Sequence, residues 1–135
     1  MKKVICLTAI AAAFALATPA YASSILDEYR NQAQQENPSF NGFSAERGKA
    51  FFLTQHATGK AETPACTSCH TNDPTQSGLT RAGKSIAPLA VSVSPDRYTD
   101  QRKVEKWFRR NCNSVLGRAC TTIEKGDFIT FMQTQ

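Results

Sequence analysis

Cys66, Cys69 and His70 stand within one pentapeptide, Cys66-Thr67-Ser68-Cys69-His70. Two thiols three positions apart, with an imidazole directly behind the second, match the attachment site of a c-type haem. Each thiol can add to one vinyl group of the porphyrin. His70 then stands where its Nε2 can ligate iron. Its Nδ1–H needs a backbone carbonyl to fix the ring, and the Ala87-Pro88-Leu89 segment is a candidate source. Three other chemistries use the same residues. Cys66, Cys69, Cys112 and Cys120 could hold zinc, although thiols tend to oxidise in an exported chain. Cys66 and Cys69 could form a thioredoxin-like redox pair, which needs a strand-helix-strand context that this pattern lacks. Plain structural disulfides are the third. One covalent haem c is the expectation.

A haem held in this way has a sixth coordination position, which ordinary electron-transfer cytochromes close with Met or His. Met132 and His56 are the conventional candidates, and no Met occurs between Thr71 and Phe131. A third candidate is Asn111. Val104, Trp107, Phe108 and Asn111 fall at i, i+3, i+4 and i+7, so they share one helix face. An Asn there can face iron, or it can cap the C-terminus of its helix. The residue pattern leaves both readings open. Trp107 and Phe108 are candidate walls of the distal pocket, or ordinary core aromatics. Arg81 and Lys84 are candidate partners for haem propionates, or solvated loop charges.

The elements that must position these groups follow from pattern. Lys2 and Lys3, an apolar run over Val4 to Ala17, and Ala20-Tyr21-Ala22 read as a cleaved export signal over residues 1–22. One domain over residues 23–135 and a periplasmic location follow. The run is too short for a membrane span. Losing Lys2 and Lys3 lowers the formal net charge from +5 to +3. That is a mildly basic surface, suited to acidic partners and too weak to imply nucleic acid. Ser24 to Tyr29 predicts a short helical start, and the polar Asn31 to Phe40 a loop. Ser44 predicts the cap of a helix over Ala45 to Leu53, where Gly48 implies a close approach by another helix. Thr71 to Tyr98 has no periodicity and predicts a long segment wrapped around a rigid group. Thr99 or Asp100 can cap a helix over Gln101 to Arg110, followed by a loop from Cys112 to Cys120. Thr121 and Glu124 predict a capping box on the last helix. No strand pair is expected, so the class is all-α.

Three runs carry a family resemblance: Arg81-Ala82-Gly83-Lys84, Asp96-Arg97-Tyr98-Thr99-Asp100, and Val104 to Arg118 with Asn111-Cys112-Asn113 at its centre. From about Gly48 to Phe131 the chain resembles the sphaeroides haem protein (SHP) family of high-spin cytochromes c. The resemblance implies a class I-like cytochrome c fold around one haem, with Asn111 as distal ligand and a disulfide between Cys112 and Cys120. It also implies that the Asn lets go on reduction and that O₂, NO or CO then bind. A dihaem cytochrome c linked to a membrane cytochrome b is the electron donor it implies. An amide is a hard, weak ligand, so release on reduction is also what its chemistry suggests. An electron-transfer and gas-binding protein fits this reading better than a dedicated enzyme, and weak oxidoreductase activity is compatible with it.

Overall fold

The structure is a computed structural model and describes residues 24–135. The export-signal reading therefore lies outside the described residues. Four α-helices carry the fold: α1 (Ile25–Glu36), α2 (Ala45–Leu53), α3 (Gln101–Leu116) and α4 (Thr122–Gln133). Between α2 and α3 lie a 3-10 turn, Cys66–Ser68, and an antiparallel ribbon of β1 (Gly78–Leu79) and β2 (Ser85–Ile86). No helix among the described residues is long and apolar enough to cross a membrane.

Ser24 and Asp27 close a capping box at the start of α1, and Ile25, Tyr29 and Ala33 bury one edge of the helix. Ala33 continues the stripe at i+4, so the helix runs to Glu36 and replaces the loop expected from Asn31 onward. The polar residues of that segment form a solvated helix face. Pro38 ends the helix, because the residue before a proline disfavours helical backbone.

Gly48 of α2 brings two backbones together. A Cβ there would lie 2.0 Å from the Asp127 carbonyl oxygen of α4. Asp127 secures the same crossing. Its buried carboxylate accepts from the Ser44 amide at 2.7 Å and from Arg47 Nε at 2.7 Å. Phe52, Leu89, Phe131 and Met132 fill the core beneath, and Phe52 and Met132 are fully buried.

α3 differs from expectation. Asp100 caps it through the Lys103 amide, but the helix does not stop at Arg110. Cys112, Val115 and Leu116 prolong its buried edge, and Gly117 ends it in left-handed conformation at φ 69°. Asn111 is thus interior to the helix and is not a cap. The ribbon is the second departure. Its strands are two residues each, too short to give a period-2 signal, and Gly83 at φ 74° makes the turn between them.

Candidate functional site

The pentapeptide folds as a tight turn. The amides of Cys69 and His70 both donate to the Cys66 carbonyl, at 3.3 and 3.1 Å. Ser68 Oγ accepts from the Ala65 amide at 3.2 Å. The ribbon is stitched to this turn, since the Leu79 amide donates to the Cys69 carbonyl at 2.9 Å. A Cβ on Gly78 would lie 2.2 Å from that carbonyl oxygen, so only glycine lets the ribbon approach so closely. The turn of the ribbon carries Arg81 and Lys84. Arg81 is exposed and lies 3.8 Å from Glu62, while the Lys84 backbone pairs with Thr80.

Cys66 and Cys69 are free thiols, whereas Cys112 and Cys120 are bonded to each other with Cα atoms 5.6 Å apart. A four-cysteine zinc site is therefore ruled out, because two of its ligands are consumed. Before any thioether forms, burial pushes the Cys66 thiol up to about 11. Burial, and then the Arg97 guanidinium, bring His70 down to about 4, so its imidazole is neutral, as a metal ligand must be. Two free thiols and a neutral imidazole on one tight turn fit a covalent haem.

Arg97 is the residue that pattern reading did not single out. Its Nε donates to the Pro88 carbonyl and a terminal nitrogen donates to the Ala87 carbonyl. Tyr98 Oη donates to the Leu89 carbonyl at 3.1 Å. The carbonyls of the segment expected to supply an acceptor for His70 are thus engaged by Arg97 and Tyr98, nine or ten positions further along the chain. Tyr98 pays for this position with φ 60°, a strained backbone for a bulky residue. Its ring packs edge-on against Phe128, with centroids 6.2 Å apart. The sequence offers little sign of such a clamp beyond an Arg-Tyr pair just ahead of the Asp100 cap.

The candidate distal residues divide. Phe108 belongs to the core, edge-on to Phe128 at 5.5 Å and to Tyr29 at 6.5 Å. Trp107 is 45% exposed, with the charged ends of Lys106 and Arg110 over its ring. Asn111 is exposed, one turn beyond Trp107 on the same edge. The disulfide fixes the next residue, Cys112, to the start of α4. The conventional ligands are engaged elsewhere. Met132 is packed with Phe52, Leu89 and Phe131. His56 Nε2 lies 3.2 Å from the Phe51 carbonyl, and the His56 ring tilts against Phe51.

Residues 38–132 match the family model described as a domain of unknown function, DUF1924. The cytochrome c-type protein SHP of Cereibacter sphaeroides is 56% identical over 91 residues, 67% of this chain and 70% of that protein. The solved structure of oxidised SHP, described as an oxygen-binding cytochrome c, superposes with a TM-score of 0.74 at 45% identity. That match covers 84% of this chain and all of the other. The solution structure of cytochrome c'' from Methylophilus methylotrophus, described in terms of haem-ligand detachment, gives a TM-score of 0.69 at 38% identity. It covers 82% of this chain and 90% of that one.

Proposed function

The chain belongs to the SHP and cytochrome c'' family of c-type cytochromes, carries haem c, and from that premise we propose a gas-binding role gated by Asn111. The haem supplies a redox-active iron. Cys66 and Cys69 anchor it covalently, and His70 is its proximal ligand. Asn111 closes the distal side in the ferric, high-spin state. On reduction the Asn111 amide lets go, because a hard oxygen or nitrogen donor holds the softer ferrous ion poorly. The position it leaves is open to O₂, NO or CO.

One observation carries this reading. Asn111 is held mid-helix on the Trp107 edge of α3, and its amide has no hydrogen-bond partner among the described residues. An amide employed as a cap or a core bridge would not be free to ligate. The engagement of His56 and Met132 supports the same choice. The oxygen binding of SHP and the ligand detachment of cytochrome c'' are properties of those proteins that agree with it.

The disulfide restrains the segment beside Asn111, and the released amide serves as a hydrogen-bond donor to the bound gas. Arg81 and Lys84 serve the propionates. Export to the periplasm brings the chain to its electron donors, a dihaem cytochrome c and a membrane cytochrome b. The Asn111→Ala variant tests the ligand. Its ferric spectrum is expected to shift as water replaces the amide, while its reduced, CO-bound spectrum stays like the parent's. A ferric spectrum identical to the parent's would overturn the assignment.

A further inference from the structure

α3 carries a stripe of charge that neither its caps nor its packing employ. At about 100° per residue, Arg109, Arg102, Lys106, Arg110 and Lys103 fall within an arc of roughly 120°. All five are exposed, and none is ion-paired with a carboxylate among the described residues. The two acids closest in sequence are occupied. Asp100 caps the helix through the Lys103 amide at 3.1 Å. Glu105 accepts from Lys125 Nζ at 2.8 and 3.0 Å, and from Tyr29 Oη. The stripe is therefore uncompensated.

Its position gives it meaning. Continuing around the helix come Ser114, Trp107 and then Asn111, before the buried edge of Val104, Val115 and Cys112. The cations thus flank the edge that carries the candidate distal ligand. Lys106 Nζ and the Arg110 guanidinium lie 5.7 and 5.4 Å from the Trp107 ring centroid, which joins the aromatic surface to the charged one.

We propose that this stripe is the docking surface for an acidic electron-transfer protein, which delivers its electron along the Trp107 edge of α3. Opposite charge steers such an encounter and orients it before contact. A membrane surface could also attract the cations, but it supplies no electron at the Asn111 edge. The proposal rests on the reading that a redox-active haem lies beside this edge. It does not need Asn111 to be the ligand, so the Asn111→Ala test can fail without it.

The test uses the ferric holoprotein and reduced flavodoxin, an acidic flavoprotein, as probe. Stopped-flow absorbance follows haem reduction between ~10 and ~300 mM salt. The parent's rate is expected to fall about tenfold or more across that range, as steered encounters do. Arg102→Glu/Lys106→Glu should lower the low-salt rate by about tenfold and flatten the salt dependence. Lys49→Glu/Lys60→Glu changes net charge equally outside α3 and should stay within about twofold of the parent. Reduction by uncharged reduced riboflavin should be the same in all three proteins.

Equal losses in the two variants would reduce the effect to net charge and overturn the proposal. So would an unchanged rate in the α3 variant, or a loss that also appears with riboflavin, which would place the stripe at the haem itself. Sedimentation with phosphatidylglycerol vesicles that the α3 variant alone loses, with its flavodoxin rate intact, would assign the stripe to a lipid surface instead.

Discussion

Arg97 holds two carbonyls of the Ala87-Pro88 segment while its positive charge acts on His70. A cation there opposes further positive charge, so it favours the reduced over the oxidised haem. Arg97→Gln removes the charge and weakens the clamp. The midpoint potential of the variant is expected to fall, as measured by potentiometric titration. Hydrogen bonds from a charged donor are each worth about 1.5–3 kcal/mol, so thermal unfolding should also show a loss of that order. A potential equal to the parent's would leave Arg97 only a structural role. The strained Tyr98 belongs to the same device: its hydroxyl and ring hold the backbone where Arg97 can reach.

At the scale of the element, α3 presents three edges with different tasks. One is buried through Val104, Cys112, Val115 and Leu116, one carries Trp107 and Asn111, and one carries the cations. The bond between Cys112 and Cys120 spans eight positions and fixes the end of α3 to α4. Closing so short a loop restricts the unfolded chain by about 2.5 kcal/mol in the entropy account. Cys112→Ser/Cys120→Ser should lose about that stability in denaturant titration. If the bond also limits the swing of Asn111, CO should associate with the reduced variant at a changed rate. Unchanged association kinetics would confine the bond to stability.

For the whole molecule, acid stability is set in part where α3 hands over to α4. Arg118 donates two bonds to Glu124, at 2.7 and 2.8 Å, and the Thr121 amide donates a third at 2.8 Å. The Arg118 bonds are the largest cause holding the Glu124 carboxyl below its ordinary 4.5, with the Thr121 amide adding to them against the opposing effect of burial. A depressed folded-state value stabilises fully above 4.5 and is lost as pH falls through the lower, folded value. Glu124→Gln should therefore be less stable than the parent at neutral pH and converge with it in acid. Melting temperatures measured from pH 7 down to about pH 2 check this. Curves that stay parallel would show that the pair contributes nothing to acid unfolding.

Local chemistry accounts for what pattern reading could reach. The caps at Ser44 and Thr121 are side-chain to backbone bonds within three residues, and both form as their sequence suggests. Gly48 signalled a close helix contact, and α4 supplies it. The haem motif is likewise a contiguous segment, and the family's haem c follows from it. Where the reading failed, burial had overruled polarity. The Gln-rich segment after Asn31 is helical because Ala33 extends a buried edge, and α3 passes Arg110 because Cys112, Val115 and Leu116 do the same.

By itself the sequence determined the haem c cofactor, the helix caps at Ser44 and Thr121 and the all-α class, since each depends on groups only a few positions apart. Tertiary structure alone decided that Phe108 and Met132 belong to the core, that Arg97 and Tyr98 take the carbonyls of Ala87, Pro88 and Leu89, and that Glu105 leaves the α3 cations unpaired. Those outcomes depend on which surfaces meet across the fold, and the energy of burial and hydrogen bonding is settled only at such long-range contacts.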